Sequence, residues 1–269
     1  MAMCCYDRTM SVAAIEDVIA ALDRIVDRAW NESSRVGYFA ALYRRVTHSV
    51  RDALLQKRFR NGPLLERLDV VFAARYLDAL SAFQSGGTPS QSWSVALYGC
   101  SDSGPLVIQQ LLAGMNAHIN FDLGIATAQA SGGNLPALKP DFDLINEILA
   151  GQINAVQSEL AAVSPLIGNL GKIAPRTQTT LLNFDIVKAR DTAWFTAERL
   201  TMEPEILAPV TIDGLDLTVS LLGRAVLYPP LLTGLLLPIR AAESNDVRRI
   251  IEVLAQPAGS DKPLAPLGA

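Results

Sequence analysis

His118 and Asp122 stand four residues apart in a run, Leu111 to Ala126, that is otherwise nearly all apolar. On an α-helix that offset is about 40° around the axis and about 6 Å along it, so both side chains share a face. A carboxylate beside an imidazole fixes its tautomer and raises its basicity, which makes a general acid/base pair. The same spacing offers two ligands to a metal, with more supplied by other helices. Asn116 and Asn120 form a second i,i+4 pair on a neighbouring face. Polar groups buried without partners cost about 1–3 kcal/mol each. These four side chains must therefore bond to one another, to other elements or to something bound. The bland alternative is a satisfied polar network that locks helix packing.

Other groups are placed to join them. Asp141, Asp143 and Asn146 open a later helix, where acidic residues ordinarily serve as caps. One of them could still face the same pocket. With Asp191, they extend the ligand set a metal would draw on to His118, Asp122, Asp141, Asp143 and Asp191. Asp69 and Tyr76 are seven apart and share a helix face. Ion pairs to Arg44, Arg45 or Arg51 are their bland role, and orienting a substrate is the functional one. Tyr38 and Tyr43 offer phenol donors to a pocket. Asn183, Val187 and Asp191 match the second metal motif of class I terpene cyclases only in part. Val187 replaces the required hydroxyl residue and the Asp-rich first motif is missing, so a charge network of Arg190 and Asp191 near Trp194 is the better reading. The chain has two histidines, which excludes a multi-histidine metal or haem-like centre. His48, beside Arg44 and Arg45, reads as part of a solvated face. No Walker loop, dinucleotide fingerprint, His-Glu-x-x-His or nucleophile elbow is present.

The elements that must position these groups are helical. Apolar residues recur at 3–4 residue spacing from Val12 to Trp30, with Ser11 as the expected cap. Further helices are expected over about 36–59, from Pro63 to Gln84, over 92–100, and from Pro105 to about Ala130. Others follow over 141–163 and 177–200, then two or three over 204–256, the last opened by Ser244-Asn245-Asp246. Pro63 suits a first helical turn. Residues 210–212 and 217–219 are the only β-like patches. The expectation is an all-α fold: a single-domain, multi-helix bundle over residues 11–256, with a central apolar helix carrying the buried polar cluster. Residues 1–10 and 257–269 are expected to be flexible ends.

Composition bounds the rest. Half of the 269 residues are hydrophobic, aromatics are 6%, and mean hydropathy is +0.24, so a core of Leu, Ile, Val and Ala is expected. A net charge of −4 without a dense basic block argues against nucleic-acid binding. Cys4, Cys5 and Cys100 are too few and wrongly spaced for a disulfide framework or zinc ribbon, which suggests free thiols in a cytoplasmic protein. The oily region from Leu215 to Ile239 is broken by Arg224, Pro229, Pro230 and Pro238, so no membrane span is expected. Buried core or a homodimer interface is the expected role of that region, with weak membrane-surface contact as the minor one.

The chain resembles the bacterial domain of unknown function 5995 family. The resemblance rests on residues 37–47, 66–80, 114–124 and 189–194, runs over about 12–255, and is most specific at Asn116-Ala117-His118-Ile119-Asn120. It implies a helical fold and no assigned activity. It also implies His at the position of Gln110 and Asn at that of Ala74, so Gln110 becomes a candidate substrate contact. Those departures suit an altered member recruited to secondary metabolism.

The leading expectation is a cofactor-independent, redox-neutral enzyme of cyclase, isomerase or lyase type. His118 and Asp122 are its acid/base pair, and Asn116, Asn120, Asp69, Tyr76, Tyr38 and Gln110 hold an apolar, oxygen-bearing small molecule. The alternatives are a hydrolase dependent on a divalent metal held by the carboxylates named above, and a non-catalytic lipid or small-molecule binder.

Overall fold

The computed structural model describes residues 12–166, 185–230 and 233–256. Among these the chain is helical and no strand occurs, so the fold is all-α. The first helices are α1 (Ile15–Asn31), α2 (Val36–Leu55), α3 (Gly62–Gln84) and α4 (Gln91–Ser101). A nearly unbroken helical stretch follows: α5 (Val107–Met115), a π-helical segment (Asn116–Asp122) and α6 (Leu123–Ser131). The rest comprises a short 3-10 turn (Leu135–Ala137), α7 (Lys139–Val163), α8 (Ile186–Met202), α9 (Ala208–Leu227), α10 (Thr233–Ala242) and α11 (Val247–Ala255).

Local chemistry starts and stops these helices. The Asp17 carboxylate accepts from the Ala13 and Ala14 amides ahead of α1. Asn61 accepts from the Leu64 amide, with Pro63 in the first turn of α3. Asp185 and Asp246 cap α8 and α11 through the Lys188 and Arg249 amides. Gly132, with φ +57°, supplies the left-handed residue that ends α6.

The α5–α6 stretch lies among the other helices. Helices α2, α3, α4, α8 and α9 all pack on it. Small residues allow the closest crossings. A Cβ on Gly124 would sit 2.7 Å from the Ala193 carbonyl oxygen, and one on Gly114 would sit 2.8 Å from the Phe39 ring. Helices α3 and α8 press on α6, while α9 covers the π-helical segment and α4. The Asp216 carboxylate of α9 caps α4 from outside, accepting from Gln91 and Ser92 amides at 2.7 and 2.8 Å.

Two expectations change. The helix expected over 105–130 is interrupted by the π-helical segment. The β-like patches at 210–212 and 217–219 both lie inside α9, because their apolar residues also match helical spacing and α9 packs on α4 and α5. The helix expected from Thr177 has described residues from Ile186 onward. Ser11, Asn183 and the expected flexible ends at 1–10 and 257–269 lie outside the described residues.

Candidate functional site

The π-helical segment is the local origin of the site. The Leu123 amide reaches back five residues to the His118 carbonyl, widening one turn. Such insertions concentrate at functional sites. His118 and Asp122 project from this turn and are 3% and 1% exposed.

The two side chains are neighbours without being a hydrogen-bonded pair. His118 Nδ1 lies 3.8 Å from Asp122 Oδ2, too long for a hydrogen bond. The Asp122 oxygens are taken by other donors. Arg75 Nε donates to Oδ1 at 2.7 Å and the Trp93 indole N–H to Oδ2 at 2.6 Å. Arg75 also lies over the Phe121 ring. Asp122 is thus a fixed anchor between α3, α4 and the π-helical segment. Burial is the main influence on His118 and lowers its pKa, against a smaller upward pull from Asp122. The imidazole is therefore neutral at pH 7.

Aromatic rings enclose that imidazole. Phe72 stacks on it at 3.6 Å between centroids, with planes 10° apart. Tyr43 meets it edge-on at 4.4 Å. Phe39, Trp93 and Tyr76 follow at 5.5, 6.0 and 6.2 Å. Within this shell five buried polar atoms have no hydrogen-bond partner: both His118 nitrogens, the Tyr43 and Tyr76 hydroxyls, and Asp69 Oδ2. Burial raises the pKa of both phenols. Burial, with the nearby Glu66, raises the Asp69 carboxyl to about 7, and its charge is felt by Tyr43. Asp69, Phe72, Arg75, Ile119 and Asn120 are half-buried, so the edge of the cluster between α3 and the π-helical segment lies near the surface.

The Asn pair forms the second network anticipated from spacing. Asn120 Nδ2 donates to Asn116 Oδ1 at 2.9 Å, and Asn116 Nδ2 donates to the Val219 carbonyl of α9 at 2.9 Å. This ties the π-helical segment to α9, which is a packing role. Tyr38 and Gln110 lie elsewhere. Tyr38 is buried among Val107, Leu111 and α11 residues. Gln110 donates to the Gly99 and Asp102 carbonyls.

The expected outer carboxylates are not brought to His118. Asp141 caps the start of α3, accepting from the Arg60 and Asn61 amides at 2.7 Å each. Asp143 pairs with Lys139 at 2.5 Å, and Asp191 is exposed. Among the described residues no three His, Cys, Asp or Glu side chains gather to hold a metal ion. Arg190 is buried, stacks on Phe142 and donates to Asn146 and to the Phe142 carbonyl. The ion pairs expected for Asp69 form elsewhere: Arg44 pairs with Asp23 and Arg51 with Asp52.

Two partners escaped sequence reasoning, Trp93 and the role of Arg75. A signal existed, since a buried indole N–H and a lone carboxylate in an apolar run each need a partner.

The molecule is thus an all-helical protein in which aromatic and unpartnered polar side chains converge on one neutral imidazole. A profile of a family of unknown function, DUF5995, matches residues 15–229, and the chain belongs to that family. The match contains the whole His118 cluster and ends before residue 255, where the resemblance was expected to stop. No curated protein and no solved structure matches the chain. Among the described residues no helix is long and apolar enough to cross a membrane.

Proposed function

We propose that the protein is a redox-neutral enzyme, of cyclase, isomerase or lyase type, acting on a small oxygen-bearing molecule at the His118 cluster. One observation carries this reading: five buried polar atoms on four neighbouring side chains lack partners. Leaving each unpaired costs about 1–3 kcal/mol, and a ligand that bonds to them offsets that cost. Neutral imidazole is the form that accepts a proton. Asp69, near pH 7 in its pKa, is the form of carboxyl that can return one at neutral pH. In a cycle, a substrate proton passes to His118 and a proton from Asp69 goes to the substrate oxygen, with the Tyr43 and Tyr76 hydroxyls bonding to that oxygen; after product leaves, water takes the extra proton from His118 and reprotonates Asp69, restoring both groups. Arg75 is committed to Asp122, and among the described residues no other cation is seen against the His118 ring, which favours an uncharged substrate. Asp122 then acts as a positioning residue, holding Trp93 and Arg75 around the ring.

The test is turnover by wild type and His118→Ala, read by mass spectrometry, on a panel of uncharged alcohols, ketones, esters and epoxides. Loss of wild-type turnover by about 100-fold or more in His118→Ala supports the reading. Equal turnover by the two proteins overturns it. Binding of panel members by wild type without turnover assigns the cluster to a non-catalytic small-molecule binder, the reading its aromatic lining favours next.

A further inference from the structure

We propose that two copies of this chain pair through the outer face of α9, antiparallel, about a two-fold axis near the level of Val219. The inner face of α9 is spent inside the fold: Asp216, Val219, Ser220, Gly223, Val226 and Leu227 are buried against α4, α5 and the π-helical segment. A second, outward face carries Val210, Gly214, Leu217, Leu221 and Arg224, all exposed. Val210 is 70% exposed, Leu217 50% and Leu221 57%. Ile206 and Met202, just before the helix, are exposed too. Contiguous apolar surface of this kind marks an interaction face.

The spacing of that face selects the partner. Its positions advance by 4, 3, 4 and 3 residues, the a/d repeat of a two-helix seam. An isologous contact must match the stripe to itself. A parallel, in-register pair sets Arg224 against Arg224 and is repelled. The antiparallel pair sets Leu217 of one copy against Leu221 of the other, and Arg224 against Gly214. Open space surrounds Gly214, with nothing within 4 Å of where its Cβ would stand. The Arg224 side chain of the second copy can therefore cross there and reach Asp213. Neither Asp213 nor Arg224 has an ion-pair partner within its own chain among the described residues, and symmetry makes the cross-pair twice. Charge complementarity thus picks a second copy of the chain as occupant.

Sedimentation velocity on the full chain tests this. The expected mass is twice 28.9 kDa, or 57.8 kDa. Leu221→Asp should give 28.9 kDa with an unchanged helical circular-dichroism signal, since the position faces outward. Arg224→Asp should weaken dimerisation about 10-fold or more, and adding Asp213→Arg should restore it. A monomeric wild type, a dimer indifferent to Leu221→Asp, or a charge swap that fails to restore pairing overturns the proposal. Monomeric wild type that binds phosphatidylcholine–phosphatidylglycerol vesicles, with binding lost in Leu221→Asp, assigns the face to a membrane surface instead.

Discussion

The His118 imidazole lies face to face on the Phe72 ring, centroids 3.6 Å apart, with neither ring nitrogen hydrogen-bonded. A packing residue in that place has no need of nitrogens. His118→Phe keeps a flat ring against Phe72 and removes two unpaired polar atoms, and such shape-conserving apolar replacements are neutral or stabilising. The expected result is a gain of about 0–2 kcal/mol in urea unfolding together with abolished turnover. A variant less stable by more than about 2 kcal/mol would show that the nitrogens have partners in solution.

Asp122 holds two donors from distant helices. Asp122→Ala strands the Arg75 guanidinium and the Trp93 N–H beside a vacated site. Removing one member of a buried charged pair costs about 3–5 kcal/mol. Trp93→Phe leaves Arg75 on the carboxylate and should cost less, about 1–3 kcal/mol. Reversal of that order in denaturant titrations would contradict the anchoring role.

Asp69 sets a pH dependence whose sign follows from its raised pKa. Its carboxyl moves from the ordinary 3.8 to about 7 on folding. Below about pH 4 both states are protonated and the group contributes nothing. As pH rises to about 7 the unfolded chain ionises first, and stability falls. Asp69→Asn should therefore be more stable than wild type above pH 7 and equal to it below pH 4. The residue is half-buried, so the gain should be about 1–2 kcal/mol rather than the full electrostatic amount. Thermal melts at pH 4 and pH 8 give the comparison.

The His118 shift runs the other way. Its pKa is lowered by burial, so the native state resists protonation and loses stability as pH falls below 6.5. Imidazole NMR titration should place the His118 midpoint below that of a free histidine, with His48→Gln resolving the assignment. A midpoint above 6.5 would reverse the protonation state on which the proposed base depends.

Two glycines of the same type should respond oppositely to Ala. Gly124→Ala drives a methyl into the Ala193 carbonyl and Thr196, at a cost of about 1–3 kcal/mol. Gly151 in α7 faces open space, and Ala there should stabilise by about 0.5–1 kcal/mol. Chemical denaturation of both variants reads the difference.

Much of this molecule is legible in one dimension. The 3–4 residue rhythm of Val12, Ile15, Ile19, Leu22 and Ile25 marks α1; Ile15, Ile19 and Leu22 are buried in it, while Val12 precedes it and, like Ile25, is half-buried. Pro63, Asn61 and Asp246 mark helix starts because capping depends on residues a few positions away. The Asn116–Asn120 bond and the closeness of His118 to Asp122 follow from helical spacing alone. Tyr76 and Tyr43, picked from their places on apolar helices, do meet His118, and the Asp69 carboxyl lies close enough to Tyr43 to act on its hydroxyl.

What the amino-acid order determined by itself is therefore what short-range physics controls: helix rhythm, caps, and which polar residues must be buried. Tertiary structure alone decided which donors those residues receive. Asp122 belongs to Arg75 and Trp93, 47 and 29 residues away, and Asp141 belongs to the amides at 60 and 61, about 80 residues away. Spacing along one helix cannot encode such choices, because they depend on the angles at which separate helices cross. The same packing inserted the π turn, turned the β-like patches into α9, and left its outer stripe exposed.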